Sequence, residues 1–292
     1  MHPLTVYNKQ LENFIRTDFE LSLLDSDCSF SEGPVWNKEG FYLFSDIPAN
    51  VICKISPGNA KEVYLQNSGC THPAEAELPR MMGSNGLAYD AENHLLICQH
   101  GNHGLAKWDG ISLQPLISSY QNKPLNSPND IIVHPEGWVF FSDPPYGLRD
   151  QVINNKKYQP LAGFYCWRNG NLQLFCTDYQ YPNGVCLSAG GRSLFTCSNK
   201  PAEAFVLEFD TATLTKKRTV CRENSDGIKC DAHGNLYLCS KEGIIIISNE
   251  GERLGLIQLP TVPANMCWGG KEGRDVLITA RENIFYIEGL LK

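Results

Sequence analysis

Six oxygen-bearing side chains recur at equivalent positions along the chain and could together bind a metal ion. Each stands directly before, or one residue before, a short apolar run: Glu32, Asn85, Asn129, Asn183, Asp226 and Asn265. The set holds two carboxylates and four carboxamides, and neither His nor Cys. Such oxygen donors favour Ca²⁺ or Mg²⁺, with Mn²⁺ also compatible and Zn²⁺ less well suited. The residue types therefore predict a site for one divalent cation, Ca²⁺ in the first place.

These residues could also have a purely structural role. Asn or Asp followed by Gly commonly forms a tight turn, and the stretches "SNGL", "PNGV" and "SDGI" fit that description. Glu32 does not fit it, because Glu is a poor turn former. A turn alone therefore does not explain the whole set.

Each of the six residues begins the same longer pattern of two apolar strands joined by a polar turn. Two examples are "FSEGPVWNKEGFYLFSD" from Phe30 and "SPNDIIVHPEGWVFFSD" from Ser127. The copies are 39 to 54 residues apart, close to the roughly 40 to 50 residues of one four-stranded propeller blade. Because the first strand of each blade lines the central channel, residues at one repeat position meet around the axis. The pattern predicts an all-β, six-bladed β-propeller with a central metal site, and favours it over sandwiches or two small barrels.

The predicted propeller occupies residues 1–292 as a single domain, with residues 1–19 as an N-terminal extension. A propeller must close its ring, since an open sheet edge invites aggregation. We expect Glu20–Leu24 to pair with Asn283–Gly289 in one composite blade. A short helix is expected at Leu11–Arg16.

Two loops are longer than a hairpin needs. Residues 69–82 and 150–161 are therefore expected to form excursions over one face of the propeller. His72 lies in the first of these and could belong to a lid over the channel or simply face solvent.

Composition restricts the partners and the compartment. The net charge of -7 argues against binding nucleic acid or anionic membranes. No apolar run approaches the roughly 18 to 20 residues that span a bilayer, and the first residues do not resemble a secretion signal. The 12 cysteines include no CxxC pair and lie mostly in apolar runs, as reduced core thiols do. We expect a cytoplasmic protein; the sequence leaves its oligomeric state open.

Several motifs carry a family resemblance. The stretches "EGPVW", "SPND", "FSDPPYG", "PNGV" and "DGIKCDAHGNLYL" occur in order at blade spacing. They resemble the senescence marker protein (regucalcin), gluconolactonase and luciferin-regenerating enzyme family, with the gluconolactonase branch most similar. The resemblance runs from Phe30 to the C terminus. It implies a six-bladed propeller, one catalytic divalent cation on the axis and hydrolysis of sugar lactones.

The resemblance also implies roles for individual residues. Glu32, Asn183 and Asp226 match the family's metal ligands, and Asn129 matches a residue that contacts metal or substrate. Animal members carry Arg where this chain has Ser127, so their substrate preference does not transfer. Bacterial members often carry Glu at the position of Gln99, beside His100.

The implied chemistry is attack of water on a lactone carbonyl that the cation polarises. Asp226 is the first choice for the general base, although a carboxylate on a metal ion is a weak base. Asp143 and Asp130 are the alternatives. Sugar hydroxyls are expected to bind a set of polar side chains: Asn85, His100, Asn129, Asp143 and Tyr146.

Alternative roles stay open for these residues and for the whole chain. His100 could be a hydrogen-bonded strand-end histidine, Tyr146 a packed loop aromatic and Asp143 a turn cap. The same chemistry would serve a metal-dependent phosphotriesterase or other ester hydrolase, since diisopropyl fluorophosphatase resembles this fold. A non-catalytic calcium-binding propeller is the third alternative. A serine hydrolase is disfavoured because the GxSxG motif is missing.

Overall fold

The computed structural model describes residues 2–72 and 81–292. Within them, six antiparallel sheets form the blades of a propeller, which confirms the predicted fold. The blades are numbered here in chain order. Blade 1 consists of Ser31–Asn37, Phe41–Asp46, Val51–Ile55 and Glu62–Gln66; blade 2 of Ser84–Tyr89, Leu95–Gln99, Gly104–Trp108 and Leu113–Ile117; and blade 3 of Ile131–Val133, Val139–Asp143, Gly163–Arg168 and Asn171–Cys176.

The second half of the ring repeats this arrangement. Blade 4 consists of Pro182–Leu187, Ser193–Ser198, Val206–Asp210 and Lys216–Cys221; blade 5 of Ile228–Cys230, Leu236–Ser240, Gly243–Ile247 and Arg253–Ile257; and blade 6 of Asn265–Gly269, Asp275–Ala280, Asn283–Ile287 and Ser22–Asp25. The first strand of every blade contacts the first strands of both neighbouring blades. These six strands therefore enclose the axis.

The N-terminal residues join two blades. Ser22–Asp25 pairs antiparallel with Asn283–Ile287, so blade 6 combines strands from both ends of the chain. Leu4–Val6 pairs antiparallel with Arg253–Ile257 and adds a fifth strand to blade 5. Where the sequence suggested a helix at Leu11–Arg16, the structure has a 3₁₀ helix at Lys9–Asn13.

The apolar core is divided into six clusters, one between each pair of neighbouring blades. Successive side chains of a strand point to opposite faces. Phe140 thus packs towards blade 4 and Phe141 towards blade 2, and both are fully buried. This double burial explains why the second strands read as continuous apolar runs rather than alternating ones.

The six recurring residues lie at one end of the channel. The loops at that end pack on one another. A small hairpin pairs Ser119–Tyr120 with Lys123–Pro124. Gln159 Nε2 donates to the carbonyl oxygens of Tyr120 at 2.7 Å and Lys123 at 2.8 Å, which ties segment 150–161 to that hairpin. Short 3₁₀ helices occupy Arg149–Gln151 and Pro201–Glu203.

Residues 73–80 of the other expected excursion lie outside the described part of the chain. His72, at its edge, is exposed, and its place on a lid stays a prediction. No described helix is long and apolar enough to cross a membrane. All 12 cysteines are free, and every one except the half-exposed Cys230 is buried.

Candidate metal centre

The six recurring residues, called the ring residues below, lie at or just before the start of the first strands. In blades 1, 2 and 4 the pairing with the second strand shifts register beside the ring residue, at Glu32, Asn85 and Asn183. A bulge of this kind re-aims a side chain. The chain thus directs one polar group per blade to the axis.

The glycine that follows four of the ring residues brings neighbouring blades into contact. A Cβ atom at these glycines would meet the ring residue of the next blade: Gly33 at 2.1 Å from Asn85 O, Gly86 at 2.5 Å from Asn129 O, Gly184 at 2.6 Å from Asp226 O, and Gly227 at 2.2 Å from Asn265 Oδ1. No side chain fits at such distances. The Asn-Gly and Asp-Gly pairs therefore serve the close packing of first strands around the axis, beyond any role in turns.

Three carboxamide oxygens of the ring are buried without a hydrogen-bond partner in the described chain. They are Oδ1 of Asn85, Asn129 and Asn183. Leaving a buried polar atom unpaired costs about 1 to 3 kcal/mol, so three at one repeat position need an explanation. A bound cation would satisfy those of Asn129 and Asn183, since carboxamide oxygens are good ligands for hard divalent ions. The oxygen of Asn85 stays available to a second ligand beside the cation.

The two ring carboxylates show the electrostatics of a cation site. Burial, followed by the charges of Asp226 and Asp130, raises the pKa of Glu32 to about 8. Burial also raises the pKa of Asp226 to about 6, although hydrogen bonds from Asn199 and Asn183 act in the opposite direction. Two buried carboxylates that repel one another are stabilised by a cation between them.

A buried ion pair stands beside them. Lys229 Nζ lies 3.7 Å from Asp130 Oδ2 and donates to Asn265 Oδ1 at 3.0 Å. Asn265 Nδ2 in turn donates to Glu32 Oε2 at 3.0 Å, so Asn265 orients a ligand and has its own oxygen occupied. Because Asp130 and Lys229 neutralise each other, the ring carries two negative charges once Glu32 and Asp226 are both ionised. That charge matches one divalent cation.

The three candidate bases differ in what their oxygens contact. Asp226 Oδ1 accepts from Asn183 Nδ2 at 2.5 Å and from Asn199 Nδ2 at 3.3 Å, and Oδ2 has no partner among the described residues. Asp130 instead accepts a backbone N–H on each oxygen, from Ile131 at 3.0 Å and Val185 at 3.1 Å. Asp226 is therefore better placed than Asp130 to take up a proton.

Asp143 has a positioning role in the structure. Its two oxygens accept from the backbone N–H groups of Asn126 at 2.9 Å and Ser127 at 2.8 Å, and the residue is fully buried. Asp46 closes the corresponding loop of blade 1 in the same way, on Ser29 and Phe30. These contacts fit the turn-cap alternative for Asp143, while its contact with substrate and its role as base stay predictions.

His100 supports Asn85 in a similar manner. It is fully buried, and its Nδ1 lies 2.9 Å from the carbonyl oxygen of Met81. Since a carbonyl only accepts, Nδ1 carries the proton and Nε2 faces Asn85 Nδ2 as an acceptor at 3.5 Å. Burial lowers the pKa of His100 to about 4, so the ring is neutral at pH 7. These contacts fit the alternative of a hydrogen-bonded strand-end histidine, while a contact of His100 with a sugar hydroxyl stays a prediction.

Tyr146 lies beside the ring together with residues that sequence reasoning missed. Its hydroxyl donates to Asn199 Oδ1 at 2.8 Å, and Asn199 Nδ2 reaches Asp226. The ring centroids of Tyr146 and Tyr181 are 5.8 Å apart, and Lys200 Nζ lies over both rings. The sequence repeat could have identified Asn199, because it belongs to the polar pair that ends the second strand of most blades.

The Asp130–Lys229 pair also left a signal in the repeat. Asp130 replaces the glycine that follows the ring residue in four other blades. Lys229 stands three residues after its ring residue, where the other copies have uncharged side chains: Val35, Ala88, Ile132, Cys186 and Trp268. Two opposite charges at otherwise uncharged repeat positions are a reason to expect a contact between them.

Comparisons with known proteins identify the family of the chain. The sequence pattern of the SMP-30/gluconolactonase/LRE-like region matches residues 30–282. A gluconolactonase of Zymomonas mobilis is 31% identical over 300 residues, which cover 96% of this chain and 84% of the relative. Human regucalcin is 23% identical over 282 residues, covering 92% and 89% of the two chains.

Solved structures show the same fold. A gluconolactonase from Xanthomonas campestris superposes with a TM-score of 0.84 at 23% identity, covering 99% of this chain and 95% of the other. A regucalcin from Agrobacterium tumefaciens, described as a calcium-binding protein, gives a TM-score of 0.72 at 17% identity, with 94% and 95% covered. The chain belongs to the SMP-30/gluconolactonase/LRE-like family.

Proposed function

We propose that the protein is a lactonase that opens sugar lactones with the help of one divalent cation at the ring residues. The observation that carries the proposal is the set of three buried, unpartnered carboxamide oxygens beside two carboxylates of raised pKa. Membership of a family that includes a gluconolactonase at 31% identity supports the choice of substrate class.

Four of the ring residues would hold the cation: Glu32, Asn129, Asn183 and Asp226. All four offer oxygen, which favours Ca²⁺, with Mg²⁺, Mn²⁺ and Zn²⁺ as alternatives for the experiment. Polarisation of the lactone carbonyl is the chemistry that a bound divalent ion supplies.

The protein's own groups manage the proton. Water attacks the carbonyl carbon and gives a proton to the carboxylate of Asp226. Its Oδ2, which has no hydrogen-bond partner in the described chain, would serve both the cation and the water. When the ring C–O bond breaks, the same proton passes to the departing ring oxygen, and the product is a hydroxy acid. Asn183 and Asn199 hold the other carboxylate oxygen, which keeps the base in one orientation.

Substrate hydroxyls would bind at the same end of the channel. Asn85 offers its oxygen as an acceptor, Asn129 its amide NH₂ group as a donor, and Tyr146 its hydroxyl. Asp143 and His100 contribute indirectly, by fixing the loop at Ser127 and the amide of Asn85. The free, mostly buried thiols suit a reducing compartment, so we infer that the enzyme works in the cytoplasm.

Hydrolysis of D-glucono-1,5-lactone followed by pH-stat tests the proposal. We expect Asp226→Asn to reduce kcat by about a hundredfold or more, in the range of a lost general base. Asp90→Asn, in a hairpin turn of blade 2, is the matched control and should retain activity. Hydrolysis of paraoxon but not of the lactone would support the phosphotriesterase alternative. A folded, cation-loaded protein that hydrolyses neither compound would support the non-catalytic alternative.

A further inference from the structure

Lys200 places an ammonium group beside the candidate metal centre. Its Nζ lies 4.5 Å from the ring centroid of Tyr181 and 5.5 Å from that of Tyr146. The backbone of Lys200 is fixed as well, because its N–H donates to Ser198 Oγ and its carbonyl accepts from Glu203 N. The ammonium is therefore held in place by aromatic faces, an arrangement that cation–π attraction stabilises.

This ammonium forms no direct ion pair in the described chain. Its positive charge acts on Asp226, whose pKa burial raises and Lys200 helps to lower. The nearby acidic side chain of Glu203 is already engaged, since its two oxygens accept from the backbone N–H groups of Gln180 at 2.7 Å and Tyr181 at 3.2 Å. A half-buried cation without a direct ion pair is an attractive site for an anion, above all when a bound divalent cation balances the charge of Asp226.

Lys200 is connected to the reaction site by one residue. Its neighbour Asn199 donates to Asp226 and accepts from Tyr146. With a divalent cation bound, the charges of Glu32 and Asp226 are balanced, and Lys200 leaves one positive charge in excess. A neutral sugar lactone offers nothing to balance that charge.

We propose that Lys200, with Tyr146 and Tyr181, forms a subsite for an anionic group on the substrate, so that the preferred lactones carry a carboxylate or a phosphate. This inference rests on the proposed lactonase function and adds the class of substrate. Lys200 would contact the anionic group at a distance from the lactone carbonyl and would set specificity.

Two matched pairs of lactones provide the test. The phosphate arm compares 6-phospho-D-glucono-1,5-lactone with D-glucono-1,5-lactone, and the carboxylate arm compares D-glucaro-1,4-lactone with D-glucono-1,4-lactone. For each pair, the measured quantity is kcat/KM for the anionic lactone divided by kcat/KM for the neutral lactone. A ratio cancels any effect of Lys200 on the base Asp226.

We expect this ratio to exceed one and to fall about tenfold in Lys200→Met, the factor that corresponds to about 1.4 kcal/mol. Lys200→Arg should retain it. Lys241→Met is the matched control, since Lys241 follows the second strand of blade 5 but is exposed. The preference should also weaken as salt is raised from about 0.05 M to 0.5 M, because salt screens partly exposed charges.

An unchanged ratio in Lys200→Met would overturn the inference. It would do so even if inhibition by the product gluconate changed in that variant. Calorimetric binding of 6-phosphogluconate and gluconate separates this outcome from failure of the proposed function. Suppose that the protein hydrolyses no lactone but binds 6-phosphogluconate more tightly than gluconate, and that Lys200→Met abolishes this difference. The subsite then stands and the lactonase proposal fails. Equal binding of both acids rejects the subsite.

Discussion

Replacing Lys229 by Met should destabilise the protein strongly. Met retains most of the apolar stem but removes the ammonium that lies 3.7 Å from Asp130 Oδ2 and 3.0 Å from Asn265 Oδ1. The side chains of Lys229 and Asp130 are only 16% and 5% exposed, so solvent screens the pair little. Removing one partner of a buried pair costs about 3 to 5 kcal/mol because the remaining charge is left uncompensated.

The lower end of that range applies here. Backbone N–H groups of Ile131 and Val185 still solvate the Asp130 carboxylate in the variant. We therefore expect a loss of about 3 kcal/mol. At roughly 2 to 4 °C per kcal/mol for a large domain, the unfolding temperature should fall by about 6 to 12 °C.

Thermal and urea unfolding of chelator-treated protein measure this loss. Lys217→Met is the matched control, because Lys217 is 36% exposed and its ion pair with Asp210 should contribute at most about 1 kcal/mol. The cost of Lys229→Met should shrink by about 1 kcal/mol or more in an Asp130→Asn background, since contacting residues are coupled. A Lys229→Met protein as stable as wild type, or an equal cost in both backgrounds, would refute the reasoning.

Three further outcomes follow from the ring. Gly184→Ala should weaken cation binding at least tenfold in calorimetric titration, because its Cβ would lie 2.6 Å from Asp226 O. Gly190→Ala, whose Cβ would have no atom within 4 Å, should bind the cation as wild type does. Equal affinities of the two variants would contradict the packing role of Gly184. Without cation, stability should decrease as pH rises from about 5 to 8, because Glu32 and Asp226, whose pKa values are raised in the folded protein, lose their protons over that interval. Urea unfolding at several pH values measures this decrease, and saturating Ca²⁺ should remove it. His100 has the opposite effect on stability: its pKa is about 4 in the folded protein, so the unfolded chain takes up the proton first and stability is lost as pH falls below about 6.5. His100→Gln should reduce this loss of stability at acid pH in the same unfolding experiment. An unchanged loss would show that His100 is not its source.

The fold could be predicted from the sequence because each blade repeats the same alternation of apolar strands and turns. The N-terminal strand Leu4–Val6 could not, since three residues carry too little periodicity and its pairing depends on the free edge of blade 5. Likewise the segment around Leu11 forms a 3₁₀ helix instead of the expected helix, and its position is set by burial of Leu11 between blades 5 and 6.

The ring residues were identifiable because they occupy one repeat position, and chemistry then limits what such a ring can bind. Their supporting contacts depend on geometry that the repeat does not encode. Asp143 and His100 are polar residues at strand ends, and only the structure shows that backbone groups or a neighbouring amide occupy their atoms. Asn199 belongs to the polar pair that ends the second strand, whereas Lys200 lies in a loop whose path the repeat leaves open.

The central claim is that one divalent cation at the ring residues makes the protein a lactonase. The most direct measurement removes bound ions with chelator and then titrates Ca²⁺, Mg²⁺, Mn²⁺ or Zn²⁺ back, following bound ion by calorimetry and D-glucono-1,5-lactone hydrolysis by pH-stat in the same samples. The account predicts one ion per chain, activity that rises in proportion to occupancy, and loss of both in Asn183→Leu. Undiminished hydrolysis after proven removal of every ion would contradict it, as would full occupancy without any hydrolysis.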